Sequence, residues 1–427
     1  MKRIKFFTLG CKVNQYETQG MREILARAGL RESGEGEEPD VVVINTCSVT
    51  ASADRKSRYL INRSRRLHPG ARLIVTGCYA QLDYAELAGM PGVSCVIRNE
   101  DKARIAEVFG YSQGETGAGG RQGKEATAAF NLRTRAFLKI QDGCDNRCSY
   151  CKIPLMRGPS RSRSFEEVVE EAHTLVENGF KEIVVCGICL GAYGKDFDSG
   201  VNLSALLRRI EEAKGLVRIR LSSIEAGDVS EELIETVARS KKICPHFHIP
   251  MQSGDDRILQ LMNRRYSRHD YLDVVKKVRK ALPEAAITTD IIVGFPGEDE
   301  GSFNNTIDLV DTLKPSRTHI FPYSPRKGTA AYNFKGRVTD AAMKKRIARL
   351  ARSADKWARD YQNKFLDREV YVLVEEKAAG DGYCWEGYSD NYIKVRVSHQ
   401  QDLCNRLIRA RIREIAGDYA SADCILS

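Results

Sequence analysis

The sequence contains no apolar run approaching the ~18 residues that a membrane-spanning helix needs. It has no recognisable leader either. Met1-Lys2-Arg3-Ile4-Lys5-Phe6-Phe7 starts basic but leads into no long apolar stretch or cleavage site, so it reads as a strand. Without a secretory leader, the 13 cysteines point to thiolate chemistry in a reducing, cytoplasmic setting and away from a disulfide framework. Strong compositional bias is missing too. Hydrophobic residues make up 42% and charged residues 29%, the balance of an ordinary globular chain, and 427 residues suffice for two or three domains. A net charge of +10 permits an acidic partner such as RNA, while nothing singles out DNA or a membrane.

The most informative stretch is Asp142-Gly143-Cys144-Asp145-Asn146-Arg147-Cys148-Ser149-Tyr150-Cys151. Soft thiolates select iron–sulfur or zinc. A zinc site wants a fourth ligand close by, and the loop offers none. Three thiolates at Cys-x3-Cys-x2-Cys spacing suit three irons of a cubane cluster, with the fourth iron left open. This spacing resembles the radical S-adenosylmethionine (SAM) signature. The resemblance implies a 4Fe–4S cluster on Cys144, Cys148 and Cys151 whose open iron is chelated by SAM, with Tyr150 beside it.

Before this loop, apolar strand-like runs alternate with helical ones: Lys2–Leu9, Asp40–Asn45, Arg72–Thr76 and Ser94–Ile97 as strands, Gln15–Leu30, Ala53–Leu67 and a stretch from Gln81 as helices. Alternation of this kind predicts an open α/β domain with a parallel sheet over residues 1–110. Cys11, Cys47 and Cys78 each follow one of its strands. The carboxyl ends of parallel strands line one edge, where ligands bind, so the fold should gather these thiols into a second cluster site. Three unrelated core cysteines are the plainer alternative. The basic stretch Arg55, Lys56, Arg58, Arg63, Arg65, Arg66 and Arg72 is either a phosphate-contacting face or a solvated one.

The motifs Thr8-Leu9-Gly10-Cys11-Lys12-Val13-Asn14-Gln15-Tyr16-Glu17-Thr18, Asn45-Thr46-Cys47-Ser48-Val49-Thr50 and Thr76-Gly77-Cys78-Tyr79-Ala80-Gln81 resemble the N-terminal domain of the radical SAM methylthiotransferase family. Within it they are most similar to the branch acting on N6-threonylcarbamoyladenosine in tRNA. The isopentenyl-adenosine and ribosomal-protein branches usually carry other residues after the first cysteine. The resemblance implies a second 4Fe–4S cluster on Cys11, Cys47 and Cys78, a tRNA substrate, and an electron donor such as flavodoxin or ferredoxin.

Residues 111–130, glycine-rich and poor in apolar residues, read as a flexible linker. From 131 to 366 the pattern becomes a series of βα units. Six strand candidates, Ala136–Gln141, Glu182–Gly187, Val217–Ser223, His246–Met251, Ile287–Gly294 and Arg317–Ser324, predict a partial (β/α)6 barrel with its chemistry at the carboxyl ends of the strands. Gly187, Ser223, Glu225, Gln252, Ser253 and Gly294 fall at those ends. By resemblance they are SAM contacts; taken singly, each is ordinary turn chemistry. Arg157–Arg163 reads as a phosphate contact or an exposed run. Cys186 and Cys189 depart from the family pattern and read as small buried side chains, with a further metal site as the weaker alternative; His246 and His248 read as satisfied strand residues. A helix over Thr339–Leu366, with Met343, Ile347, Leu350, Ala354, Trp357, Tyr361 and Phe365 on one stripe, closes this region.

Residues 367–427 alternate as short strands and predict a small β-barrel, by resemblance a tRNA-binding TRAM domain. Residues 368–427 hold eight Lys or Arg against ten Asp or Glu, so RNA binding there needs a local face. Arg406, Arg409, Arg411 and Arg413, with Tyr388 and Tyr392 for stacking, are the candidates. The functional expectation is methylthio insertion at C2 of the modified adenine. Two other classes stay open: a radical enzyme whose second cluster relays electrons, and a non-catalytic iron–sulfur RNA-binding protein.

Overall fold

The computed structural model describes residues 2–111, 134–378 and 382–425; apart from Tyr111, the expected linker lies outside the described residues. In the first part, β1 (Arg3–Thr8) leads into α1 (Lys12–Arg27) and a short β2 (Arg31–Glu32). Next come β3 (Val41–Thr46), α2 (Ala51–Leu67), β4 (Arg72–Gly77), α3 (Cys78–Leu82), α4 (Tyr84–Ala88) and β5 (Cys95–Ile97). The strands form one parallel sheet in the order β2-β1-β3-β4-β5. β3 is central and buried along its whole length, which its unbroken Val-Val-Val-Ile run dictates. Helices α1 and α3 start at Lys12 and Cys78, earlier than Gln15 and Gln81, because α1 takes over directly after Cys11 and α3 begins with Cys78 itself.

The second part runs β6 (Arg135–Lys139), β7 (Gln141–Asp142), α5 (Ile153–Arg157), β8 (Arg161–Ser162), α6 (Phe165–Glu177), β9 (Glu182–Cys186), α7 (Leu203–Glu211), β10 (Arg218–Leu221) and α8 (Glu231–Arg239). It continues with β11 (His246–His248), α9 (Asp256–Leu261), α10 (Arg268–Ala281), β12 (Ala286–Val293), α11 (Glu300–Leu313), β13 (Arg317–Pro322) and α12 (Asp340–Asn363). Two three-stranded parallel sheets, β6-β9-β10 and β11-β12-β13, are joined by parallel bridges Ile219–Ile243 and Ser223–His248. The result is an arc of six parallel strands. Its outer face carries Phe247, Ile249, Ile287, Ile291 and Val293, packed with Phe303, Leu309 and Val310 of α11. On α12 the expected stripe is the packed face: Leu350, Ala354 and Tyr361 are buried, and Met343, Ile347 and Trp357 rest on the same core.

In the third part, β14 (Glu369–Lys377), β15 (Cys384–Ser389), β16 (Lys394–Ser398), β17 (Leu407–Ala416) and β18 (Tyr419–Ile425) close into a barrel in the order β14-β15-β16-β18-β17. β18 was not anticipated; its run Tyr-Ala-Ser-Ala-Asp-Cys-Ile is too small and polar to announce a strand, and pairing with β16 and β17 decides it. This barrel caps the amino-terminal end of the arc. Arg218 donates to the Tyr388 carbonyl (2.9 Å), and Arg220 to the carbonyls of Asp390 (3.0 Å) and Ser389 (3.1 Å). Arg220, three residues before Ser223 of the expected rim, is fully buried at this floor, paired with Glu182 at 3.0 Å. Tyr388 and Tyr392 stack on each other with ring centres 5.1 Å apart, and Tyr392 also meets Arg220 (4.3 Å) and His246 (4.8 Å). Both are half-buried, and the floor already engages the Tyr392 ring. Among the described residues, no helix is long and apolar enough to cross a membrane.

Candidate active site

The three N-terminal cysteine loops are built from glycine and asparagine. Gly10 and Gly77 have φ of 100° and 98°. A Cβ on Gly77 would lie 2.4 Å from the Thr46 carbonyl oxygen, and one on Gly10 2.9 Å from Cys47 Sγ. Glycine alone lets β1 and β4 turn this closely over the Cys47 loop. The Asn14 side chain donates to the carbonyls of Leu9 (2.8 Å) and Thr46 (2.9 Å), and Asn45 donates to the Asn14 carbonyl (2.9 Å). These bonds tie the Cys11 and Cys47 loops together at the carboxyl edge of the sheet. Cys47 and Cys78 are buried and Cys11 is exposed. Burial pushes the Cys47 thiol up to about 11, and the neighbouring Cys78 and Cys11 add to the rise. Burial also raises Cys78, while Arg157 and Lys102 draw it back.

Arg157 was read as a substrate contact or an exposed charge. It is neither: its side chain is 1% exposed and pairs with Glu17 of α1 and with Asp142 (3.2 Å). It also donates to Asn14 Oδ1 at 2.6 Å. Burial opposes ionisation of Glu17, yet Lys102, Arg157 and Lys139 hold its carboxyl well below the usual range. Arg163 is likewise engaged, donating to Glu171 (2.6 Å) and Tyr16 (2.9 Å). On the other side, Arg326 donates to Ser48 (2.8 Å) and pairs with Asp54 (2.6 Å), and the Ala51 N–H donates to Ser324 (2.9 Å). The N-terminal sheet is thereby docked on the carboxyl-terminal mouth of the arc.

The second cysteine loop is held at that mouth by the turn after α9. The Ser149 hydroxyl donates to the Leu261 carbonyl (2.7 Å), and Asn263 donates to the Arg147 carbonyl (2.7 Å). Arg264 donates to Cys148 Sγ at 3.3 Å and pairs with Glu225. Cys151 Sγ accepts from the Ile153 N–H (3.4 Å), and burial pushes this thiol up to about 12. Cys144 is held down at about 7, chiefly by a hydrogen bond from Cys189, whose own thiol is raised by that bond and by burial. Cys186 and Cys189 are both buried, as expected, but Cys189 shares a hydrogen bond with the Cys144 thiol. Asn14 and Asn45 lie within motifs the sequence shows but carry no role there, and Arg264 escaped the sequence reading altogether.

Among the described residues, the one set of three metal-type donors within 4.8 Å of one another is His248, Asp290 and His319. Neither cysteine triad is therefore drawn in to the spacing of a single tetrahedral ion, whose thiolates at ~2.3 Å stand about 3.8 Å apart. Soft sulfur donors, wider spacing and adjacent cations fit an anionic multi-iron cluster at each triad. Beside Cys148 opens a cavity of about 350 Å³, lined by Asn146, Cys189, Glu225, Asp228, Arg264 and Tyr266. Of the other expected contacts, Tyr150 packs edge-on to Phe295 (6.3 Å), and Ser223 and Gln252 lie at strand-end bridges. The buried Ser253 hydroxyl accepts from the Asp255 N–H (3.3 Å). Gly187 faces Gln141, whereas Gly294 faces Met343 of α12.

Residues 138–310 match the model of the Radical SAM superfamily, and residues 3–98 match the uncharacterized protein family UPF0004. A radical SAM methyltransferase, TsrM from Kitasatospora setae, shares the fold with a TM-score of 0.55, at 14% identity over 78% of this chain and 77% of that one. The arc of strands with its Cys-x3-Cys-x2-Cys mouth is thus a radical SAM domain. The chain is 40% identical to the threonylcarbamoyladenosine tRNA methylthiotransferase MtaB of Bacillus subtilis, over 98% of this chain and 95% of the relative. The protein of that name from Thermotoga maritima is 39% identical, over 94% and 91%. A tRNA-2-methylthio-N(6)-dimethylallyladenosine synthase from Pelotomaculum thermopropionicum is 34% identical, over 90% and 89%. This chain belongs to the radical SAM tRNA methylthiotransferase family.

Proposed function

We infer that the chain inserts a methylthio group at C2 of N6-threonylcarbamoyladenosine beside the tRNA anticodon. The observation that carries this reading is the meeting of two three-cysteine sets at one mouth: the residue that follows the Cys144–Cys148–Cys151 loop into α5, Arg157, is the cation beside Cys78. The C2–H bond has no useful acidity, so side-chain acids and bases cannot activate it and cofactors must. When bound, a 4Fe–4S cluster on Cys144, Cys148 and Cys151 with SAM would supply a radical, and a second on Cys11, Cys47 and Cys78 the sulfur.

The protein's own residues hold these groups in register and keep water out. Arg264 neutralises charge at Cys148, and Arg157 with Lys102 does so at Cys78. The cavity beside Cys148 would hold SAM, with Glu225 and Asn146 in its polar lining, and Tyr150, Gly187, Ser223, Gln252, Ser253 and Gly294 would shape the surrounding strand ends. Residues 1–110 form the methylthiotransferase domain, 131–366 the radical domain and 367–427 a TRAM domain, joined by a linker at 111–130. The setting is the cytoplasm, and a flavodoxin or ferredoxin supplies electrons.

Anaerobic turnover with dithionite, SAM and tRNA, followed by chromatography of nucleosides and iron analysis, tests the reading. Reconstituted wild type should carry about eight irons, and each triple Cys→Ala variant about four. The Cys11/Cys47/Cys78 variant should still cleave SAM to 5′-deoxyadenosine yet yield no methylthio product; the Cys144/Cys148/Cys151 variant should do neither. Methylthio product from the first variant would overturn the sulfur assignment. Turnover without sulfur in the wild-type product would leave an electron relay instead.

A further inference from the structure

The concave face of the arc is polar, which is unusual for the inside of a barrel. Across β11, β12 and β13 it carries His246, His248, Thr288, Asp290, Arg317 and His319, set by the register pairs His248–Thr288, Thr288–Arg317 and Asp290–His319. Asp290 is shared between His248 (3.2 Å) and His319 (3.0 Å), so its carboxylate is already engaged. Two buried polar atoms on this face, His246 Nδ1 and Ser222 Oγ, have no protein partner. Buried polar groups are almost always paired, so these atoms call for a polar partner, water or guest, within the lumen.

Above the same face sits Lys12, the first residue of α1 and the neighbour of Cys11. It is half-buried, and among the described residues no carboxylate or carbonyl accepts from it. Lys102 and Lys139, the other lysines near the Cys78 edge, are both paired with Glu17. Lys12 lies one turn before Tyr16, whose hydroxyl bonds Glu171 and Arg163 of the arc, so this face of α1 looks onto the mouth; its charge also bears on His246 and Tyr392 of the lumen, and on Cys186, which burial nonetheless raises. Arg317, exposed on the same face, also lacks an acidic partner among the described residues and lines a cavity of about 640 Å³ that opens between α12 and the C-terminal barrel. A half-buried cation with no protein counter-ion, at the mouth of a face that carries unpaired polar atoms, suits an anionic, hydrogen-bonding guest.

We propose that Lys12 is the specificity-determining residue that pairs with the carboxylate on the N6 substituent of the target adenine, over the lumen face of β11–β13. The inference rests on the threonylcarbamoyladenosine reading above and assigns its recognition to one side chain. The threonyl arm carries a carboxylate for Lys12, and a hydroxyl and carbamoyl group for Ser222 and His246. An isopentenyl arm offers none of these and would leave the lysine buried against hydrocarbon.

The test uses anaerobically reconstituted holoenzyme and three anticodon stem-loops, bearing N6-threonylcarbamoyladenosine, its threonyl methyl ester, or N6-isopentenyladenosine. Binding is read by fluorescence anisotropy and turnover by nucleoside mass spectrometry. Wild type should bind the free acid about tenfold or more tighter than the ester, the scale of a charge-assisted hydrogen bond. Lys12→Gln should bind acid and ester alike, and Lys12→Arg should keep the preference, showing that charge and not fold is being read. Equal wild-type binding of acid and ester, or an undiminished preference in Lys12→Gln, overturns the proposal. Wild type that methylthiolates acid and ester equally removes Lys12 from recognition while the functional reading stands. Wild type that converts only the isopentenyl stem-loop removes both.

Discussion

Replacing Arg157 by Met should loosen the docking of α1 on the radical domain, and the size of the effect follows from what its guanidinium touches. Arg157 is 1% exposed and Glu17 9% exposed, so neither charge is solvated. Removing one partner of a buried pair commonly costs about 3–5 kcal/mol, because the other charge is left behind. Glu17 keeps Lys102 and, at 3.3 Å, Lys139, so the lower end applies, ~3 kcal/mol. That corresponds to a rise of about 150-fold in the local opening constant. In a Glu17→Gln background the same change strips only the contacts to Asp142 and Asn14, and ~1 kcal/mol is expected. The assay is amide hydrogen exchange, followed by mass spectrometry, of a peptide from α1 in all four proteins. A coupling of about 2 kcal/mol between the two positions supports a buried network. Equal acceleration by Arg157→Met with and without Glu17 would refute the reasoning and make the pair incidental.

Two further outcomes follow from the surface and from one buried carboxyl. Arg55, Arg63 and Arg66 on the exposed face of α2 have no acidic partner among the described residues, and Tyr59 beside them is 60% exposed. If this face meets tRNA phosphates, changing all three to Ala should flatten the log–log salt dependence of binding by about 2–3 units; an unchanged slope returns the helix to solvent. Burial pushes Glu298 up to about 7 against the Gly294 N–H and Arg346. A carboxyl raised in the fold binds more protons folded than unfolded, so its contribution is full below the unfolded value near 4.5 and is lost as pH rises through about 7. The change is on the order of 1–3 kcal/mol. Denaturation midpoints compared at pH 5.5 and 8 should fall more in wild type than in Glu298→Gln; a parallel fall sinks the assignment.

What the sequence determined by itself is local and periodic. Uninterrupted apolar runs such as Val41–Ile44 can be satisfied only as strands buried on both faces, and they read correctly. The Cys-x3-Cys-x2-Cys spacing places three thiols on one loop whatever the rest of the chain does. The six strands of the arc and the stripe on α12 were legible for the same reason, since period and burial are written residue by residue. The tertiary structure alone decided the partners of charges. Arg157 looks from sequence like its exposed neighbour Arg161, and only docking against α1 buries it with Glu17 and Asn14. Arg220 lies just before Ser223 and Glu225 of the expected rim, yet its position along β10 turns it to the floor, where β15 and the turn after it supply carbonyls. β18 exists because two neighbouring strands offer it hydrogen bonds, not because its residues favour a strand. Electrostatic pairing and sheet closure depend on segments up to hundreds of residues apart, as for Ser48 and Arg326, and no local pattern carries that information.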